Sequence, residues 1–346
     1  MKVSIGTNIK EGPWGGGNLF AINLLEYLQK KGHSVVTNLN DDDIDIILLT
    51  EPRRTSESSA FTHIDVQKYI KYVKADSLIM HRINECDERK NTSYVNKYLI
   101  EANKTADYTV FVSNWLKQLY VEQGIKEKEK HVIYAGANEN IFNSKGFTTW
   151  DKKSKLKIVT HHWGANWNKG FDIYEKIDQL MNNNIWKTKI EFMYIGNTPK
   201  GFEFVNTNVV RPLSGLSLSN KIKENHLYVT GSLFEPSGNH HIEAAQCGLP
   251  IMYVNSGGTP EYCKNFGLEI NLSNLETKLM DVFTNYDSYQ SNMKNYPFNS
   301  NKMCSDYEKL FKEMLQNKNE ILSKRIFKMK SNFIEKMLFN YKRSTK

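Results

Sequence analysis

The 346-residue chain has no apolar run approaching the roughly 20 residues of a membrane-spanning helix, which excludes a bilayer-spanning protein. Its opening stretch, MKVSIGTNIK, contains no signal-peptide apolar segment, and its four cysteines (86, 247, 263, 304) show neither CxxC nor framework spacing. Both absences point to a reducing cytoplasm. No internal repeat of 20 to 50 residues is evident, although the two halves share an architecture. A basic nucleic-acid face is missing too. The net charge is +8, but residues 323–346 hold eight Lys or Arg and one Glu, so the tail carries +7 and the body only +1. Within that tail Ile326, Met329, Phe333, Met337 and Tyr341 recur at helical spacing among the charges, the pattern of a basic amphipathic helix.

What is present is ordinary globular composition, 40% apolar and 24% charged, on a chain longer than one core usually supports. Two domains follow. Short β-branched runs alternate with helical stretches: KVSIGT, IDIILLT, SLIMHRI, YTVFVS and HVIYAG, with helices expected over 18–31, 64–74, 92–105 and 114–123. The polar stretch 143–155 reads as a linker. The alternation restarts with LKIVTHHW, EFMYIGN, NVVRPL, HLYVTGS, PIMYVNS and GLEIN. This predicts an α/β protein of two Rossmann-like doubly wound domains facing a central cleft, over 1–148 and 149–303. Residues 304–346 form a helix crossing back to the first domain and the basic tail. Ligands of such sheets sit beyond the strand C-termini, so the loops there are where candidate residues are sought.

The segment EPSGNHHIEAAQCGLP, 235–250, is the most informative. Asn239 is expected to cap a helix from His240 to Cys247, stopped by Gly248 and Pro250. Glu243 then lies in the first helical turn and Glu235 on the loop before it, two carboxylates flanking a helix end that attracts anions. The continuation MYVNSGGTPEYC places a second glycine turn, Ser256-Gly257-Gly258, beside that helix. Upstream, Lys169-Gly170 sits at a strand-to-helix turn, where an ammonium balances charge on a leaving phosphate. After the first strand, Gly15, Gly16 and Gly17 open an amphipathic helix without GxGxxG spacing; they allow close approach of a phosphate, or serve a flexible turn. His81, Arg82, Asn84 and Glu85 fall where a strand should end, with His81 the preferred substrate contact and a core histidine the alternative. The aspartates of DDDID, 41–45, precede their strand and read as a solvated turn instead of a metal site. His161, His162, His240 and His241 are not expected to bind zinc, because adjacent strand residues point to opposite sides.

The order of these residues resembles the retaining glycosyltransferases of family 4, which have the GT-B fold. Glu235 and Glu243 match that family's E-x7-E element, and EAAQCGLPIMYVNSGGTPE is similar to its EAxAxGxPVxxxxxGGxxE continuation. VSNWLKQLY, YAGANENIF and Lys169-Gly170 fall in the family's order, over about residues 1–265. The resemblance implies that Glu243 holds the nucleotide ribose and Glu235 the donor sugar. It implies that amides of Gly238, Asn239 and His240 meet the diphosphate, that Lys169 stabilises it as it leaves, and that His81 touches the sugar with Gly16 and Gly17 near the phosphates. Where the family usually has an arginine, five residues before the lysine, this chain has Gly164. Lys169 then acts alone, or Arg211, His161 or His162 replaces the arginine. The Asn-Gly turn usual before the linker is altered to Ala135-Gly136-Ala137.

The expected activity is therefore retaining, metal-independent transfer of a sugar, with no cofactor beyond the nucleotide-diphosphate sugar itself, to a glycan, lipid-linked or small-molecule acceptor. An epimerase of the same fold and a non-catalytic nucleotide-sugar-binding scaffold are the alternatives. Nucleic acid is not an expected partner. The basic tail either lies on an anionic membrane surface, which makes the protein peripheral on the inner face, or packs beside the first domain. The first-domain side chains Trp14, Arg53, Arg54 and Arg82 name no acceptor class, and the base and sugar stay open.

Overall fold

The computed structural model describes residues 1–10, 12, 15–125, 129–325 and 333–344. Trp14, Ile326 and Met329 lie outside them. The chain forms two compact units, one of Met1–Asp87, Asn91–Tyr134 and Met303–Lys346, the other of Glu88–Lys90 and Ala135–Lys302.

The first unit holds β1 (Lys2–Ile5), β2 (Ser34–Val36), β3 (Ile46–Leu49), β4 (Leu78–Ile83), β5 (Tyr108–Phe111) and β6 (Glu129–Val132). They form one parallel sheet in the order β2-β1-β3-β4-β5-β6. Every residue of β3 and β4 is buried, as a parallel sheet covered on both faces requires. Alternation sorts the two faces. Ile46, Leu48, Leu78 and Met80 pack with Phe20, Leu24 and Leu28 of the helix Gly16–Lys30, and with Tyr307, Phe311 and Met314 of the helix Ser300–Gln316. Ile47, Leu49 and Ile79 pack with Val66, Tyr69 and Ile70 of the helix His63–Tyr72.

The second unit holds β7 (Leu156–His162), β8 (Ile190–Gly196), β9 (Asn208–Val210), β10 (Leu227–Thr230), β11 (Ile251–Val254) and β12 (Gly267–Ile270). These also pair in parallel, in the order β12-β11-β10-β7-β8-β9. Trp150, in the polar stretch read as a linker, is buried in this unit's core against Tyr286 and Phe283.

Several local expectations differ. β2 escapes the pattern because it is a three-residue edge strand with no buried residue. The helix expected over 92–105 is Val95–Asn103, three residues later at its start, and an unexpected short helix, Asp87–Lys90, precedes it across a break at Asn91 in the left-handed region. Asp87 causes the break, since its carboxylate accepts from the amides of Tyr94, Val95 and Asn96 and so takes up the second helix's open N–H groups. The aspartates at 41–45 are not simply solvated. Lys2 Nζ pairs with Asp41 (2.9 Å) and Asp43 (2.6 Å), and Asp45 accepts from the Lys2 amide, so they anchor the start of β1. Among the described residues no helix is long and apolar enough to cross a membrane.

Candidate active site

β11, β10 and β7 are neighbours in the second sheet, so the loops leaving their C-terminal ends converge. The loop after β10 leads into the helix Asn239–Gln246. Its N-cap is Gly238, at φ +72°, and no side chain caps it. Asn239 is thus the first helical residue and not the cap, and Glu243 falls in the second turn, not the first. Geometry selects glycine here. A Cβ at 238 would stand 2.4 Å from the His241 ring, and the positive φ disfavours any L side chain. The consequence is a helix end whose first N–H groups no side chain occupies, the arrangement that binds anions.

Lys169 reaches this end from the loop after β7. A 3-10 turn, Trp167–Lys169, ends at Gly170 with φ +96°, where a Cβ would collide with the Gly231 backbone at 2.3 Å. That close approach of two backbones seats Lys169 beside the loop after β10. Its Nζ donates to Glu235 Oε2 at 2.7 Å, and both side chains are buried. From the other side, the glycine turn after β11 holds the Glu235 backbone: the Gly258 amide donates to its carbonyl at 2.8 Å, and Gly257, at φ +64°, packs against its N and O. The second glycine turn therefore supports the acid directly.

The other Glu235 oxygen faces Arg89, whose Nε lies 2.9 Å from Oε1. Arg89 belongs to the Glu88–Lys90 segment that packs within the second unit. Sequence reasoning missed it, since a charged run such as DERK carries no periodic signal. A Cβ at Gly164, the position where an arginine was expected, would lie 3.7 Å from Lys169 Cε. The missing side chain would thus have stood beside Lys169, and Arg89 supplies a second cation to the same carboxylate. Burial on its own would raise the Glu235 carboxyl, but the charges of Arg89 and Lys169 outweigh it and hold it at about 2. Around this residue two cations meet one carboxylate, at the positive end of a helix.

Glu243, also buried, accepts from His161 Nε2 at 2.9 Å, while His161 Nδ1 shares a 3.2 Å hydrogen bond with the Tyr228 hydroxyl. His162 turns elsewhere, sharing a 2.6 Å hydrogen bond with Tyr174. His240 shares one of 2.9 Å with Thr230 and stacks edgewise on His162, ring centroids 4.5 Å apart. Burial first, then neighbouring groups such as Lys169, pushes His162 and His240 far below the ordinary imidazole range, and burial takes His241 down to about 3 against the raising charge of Glu235. These three rings are neutral at pH 7.

The structure thus gathers Glu235, Lys169, Gly238, Asn239, His240, Glu243 and His162 in the second unit. Arg211 is not gathered with them: it is exposed after β9, the edge strand two places from β7, and makes no ion pair among the described residues. The other candidates belong to the first unit. His81 lies within β4, not at its end, paired in register with Leu49 and Thr109 and wholly buried. Asn103 donates to its Nδ1 at 3.1 Å and to Thr109 Oγ1 at 2.8 Å, which is why a polar residue is tolerated there. Arg82 is buried as well, its guanidinium 4.0 Å from the Phe20 ring centre. Gly16 and Gly17 form the exposed first turn of the helix Gly16–Lys30, with Gly15 as an N-cap at φ +78° and no side-chain cap.

No protein-family model and no curated protein matches the chain. Solved structures do. A glycosyltransferase from Rickettsia africae ESF-5 superposes with a TM-score of 0.65 at 15% identity, covering 91% of this chain and 99% of that one. Anabaena HepE in complex with UDP and glucose gives 0.64 at 13% identity over 90% of this chain and 100% of its own. A sucrose-phosphate synthase from Thermosynechococcus elongatus gives 0.61 at 12%, over 91% and 99%. At such identities the likeness speaks for architecture: the chain has the GT-B glycosyltransferase fold, built from two Rossmann-like parallel sheets.

Proposed function

We propose that the chain is a retaining hexosyltransferase of the family 4 kind, using a nucleotide-diphosphate sugar as donor and a glycan, lipid-linked or small molecule as acceptor, without a metal ion. The observation that carries this reading is the uncapped helix end at Gly238 beside the buried Lys169–Glu235 pair and its second cation, Arg89. UDP is the favoured carrier, because HepE has been solved with UDP and with UDP-glucose.

In glycosyl transfer, negative charge grows on the departing diphosphate while the sugar becomes cation-like. Helix amides and the Lys169 ammonium meet the first, with no reorganisation needed at the moment of bond breaking. Glu235, held between two cations, positions the sugar. Glu243, held by His161, is the residue we assign to the ribose. Both carboxylates are already engaged, which favours attack by the acceptor on the face the diphosphate leaves over a covalent enzyme intermediate.

Melting the protein with UDP, GDP and ADP tests the donor site, since a ligand at 100 times its Kd adds about 2.7 kcal/mol to stability. UDP is expected to stabilise, and UDP release from UDP-glucose is expected to persist in EDTA. Failure of all three nucleotides to stabilise would refute the reading. A changed sugar still on its nucleotide would establish an epimerase instead, and binding without turnover a scaffold.

A further inference from the structure

We infer that the outward face of the helix Phe333–Ser344 is a docking surface for an anionic lipid bilayer. This helix has two faces with different work. Glu335, Phe339 and Arg343, at steps of four, attach it to the first unit. Glu335 pairs with Lys71 at 3.1 Å and with the Tyr72 hydroxyl, the Phe339 ring lies 6.1 Å from that of Tyr72, and Arg343 donates to the Leu39 carbonyl at 3.0 Å and to Asp42 at 2.5 Å. This helix therefore packs within the first unit, one of the two readings of the tail, through the side that carries Glu335, Phe339 and Arg343.

The other side carries Phe333, Ile334, Met337, Leu338 and Tyr341, which are 74%, 68%, 59%, 57% and 69% exposed. At about 100° per residue they span an arc of about 140°, a continuous apolar stripe. A contiguous stripe of five large apolar side chains on a soluble surface marks an interaction site. Charge decides what occupies it. By sequence, residues 323–346 carry +7, from six lysines and two arginines against Glu335. A second copy would bring +7 against +7. An anionic headgroup layer attracts the lysines while its acyl boundary accepts the stripe. The surface is independent of the donor site and stands apart from the transfer reading.

The test is co-sedimentation of the full chain with vesicles of phosphatidylglycerol and phosphatidylcholine in equal parts, against pure phosphatidylcholine. The chain is expected to sediment with the first and not the second, and less as salt rises. Met337→Glu with Leu338→Glu, both pointing outward, should lower partitioning on the order of tenfold or more, with melting temperature and UDP affinity unchanged. Absence of wild-type sedimentation, equal sedimentation of the double variant, or a solution dimer that the double variant disperses would overturn the inference. UDP affinity is read separately, so such a failure leaves the transfer reading standing.

Discussion

Replacing Glu235 by glutamine keeps the side chain's shape and removes its charge, leaving Lys169 and Arg89 facing a neutral amide. The Lys169 and Glu235 side chains are only 8% and 7% exposed, so neither cation can be fully compensated by water, although Arg89 at 28% is partly solvated. Removing one partner from a buried pair costs about 3–5 kcal/mol. The carboxyl's displacement from 4.5 to about 2 gives an independent figure of roughly 3 kcal/mol, at about 1.4 kcal/mol per unit. We therefore expect about 3 kcal/mol of destabilisation. For a domain of 150–250 residues that is a fall of roughly 6–12 °C in melting temperature. The effect has a pH signature. A carboxyl depressed in the folded state stabilises fully above its unfolded value of 4.5, and that stabilisation is lost as pH falls towards 2. Glutamine does not titrate, so the gap between the two proteins should be full at pH 7 and shrink below pH 4.5. Urea unfolding of both proteins at pH 7 and at about pH 3 measures it, the difference cancelling the other carboxylates. A gap under about 1 kcal/mol at pH 7, or one that does not change with pH, would refute the assignment of Glu235 as the charge hub.

Two further substitutions probe the same end of the helix. Lys169→Ala removes the cation aimed at the leaving diphosphate and should lower turnover of UDP-glucose by roughly 10²–10³-fold; UDP release within threefold of wild type, about 0.7 kcal/mol, would contradict the role given to it. Gly238→Ala forces a side chain into a left-handed residue 2.4 Å from the His241 ring, so the helix end must shift. Calorimetry is expected to show UDP affinity weakened by about tenfold or more, and an affinity indistinguishable from wild type would show that the amides there do not bind the diphosphate.

Much of the fold is legible in the sequence because its signals are local. Buried β-branched runs mark the central strands of both sheets, and the glycines at 170, 238 and 257 mark turns that only glycine makes easily. Where local signals compete, the reading slips. Asn239 looks like the cap, but the αL conformation of Gly238 wins, moving the helix start by one residue and Glu243 out of the first turn. The polar run from His81 to Glu85 looks like the end of a strand, but Asn103 hydrogen-bonds the buried His81 inside β4, and the strand continues to Ile83. The two carboxylates of the candidate site could be named from spacing; their partners could not.

The sequence by itself determined that two parallel sheets form and that Glu235, Glu243 and Lys169 stand near strand ends, because periodicity, turn chemistry and strand-to-loop order are properties of neighbouring residues. Tertiary structure decided that Arg89 meets Glu235, that His161 rather than water takes Glu243, and that Arg211 stays at the edge. Ion pairs and buried hydrogen bonds join residues far apart in the chain, and which ones meet depends on the order β11-β10-β7 and on how the segment Glu88–Lys90 packs, neither of which any local pattern encodes.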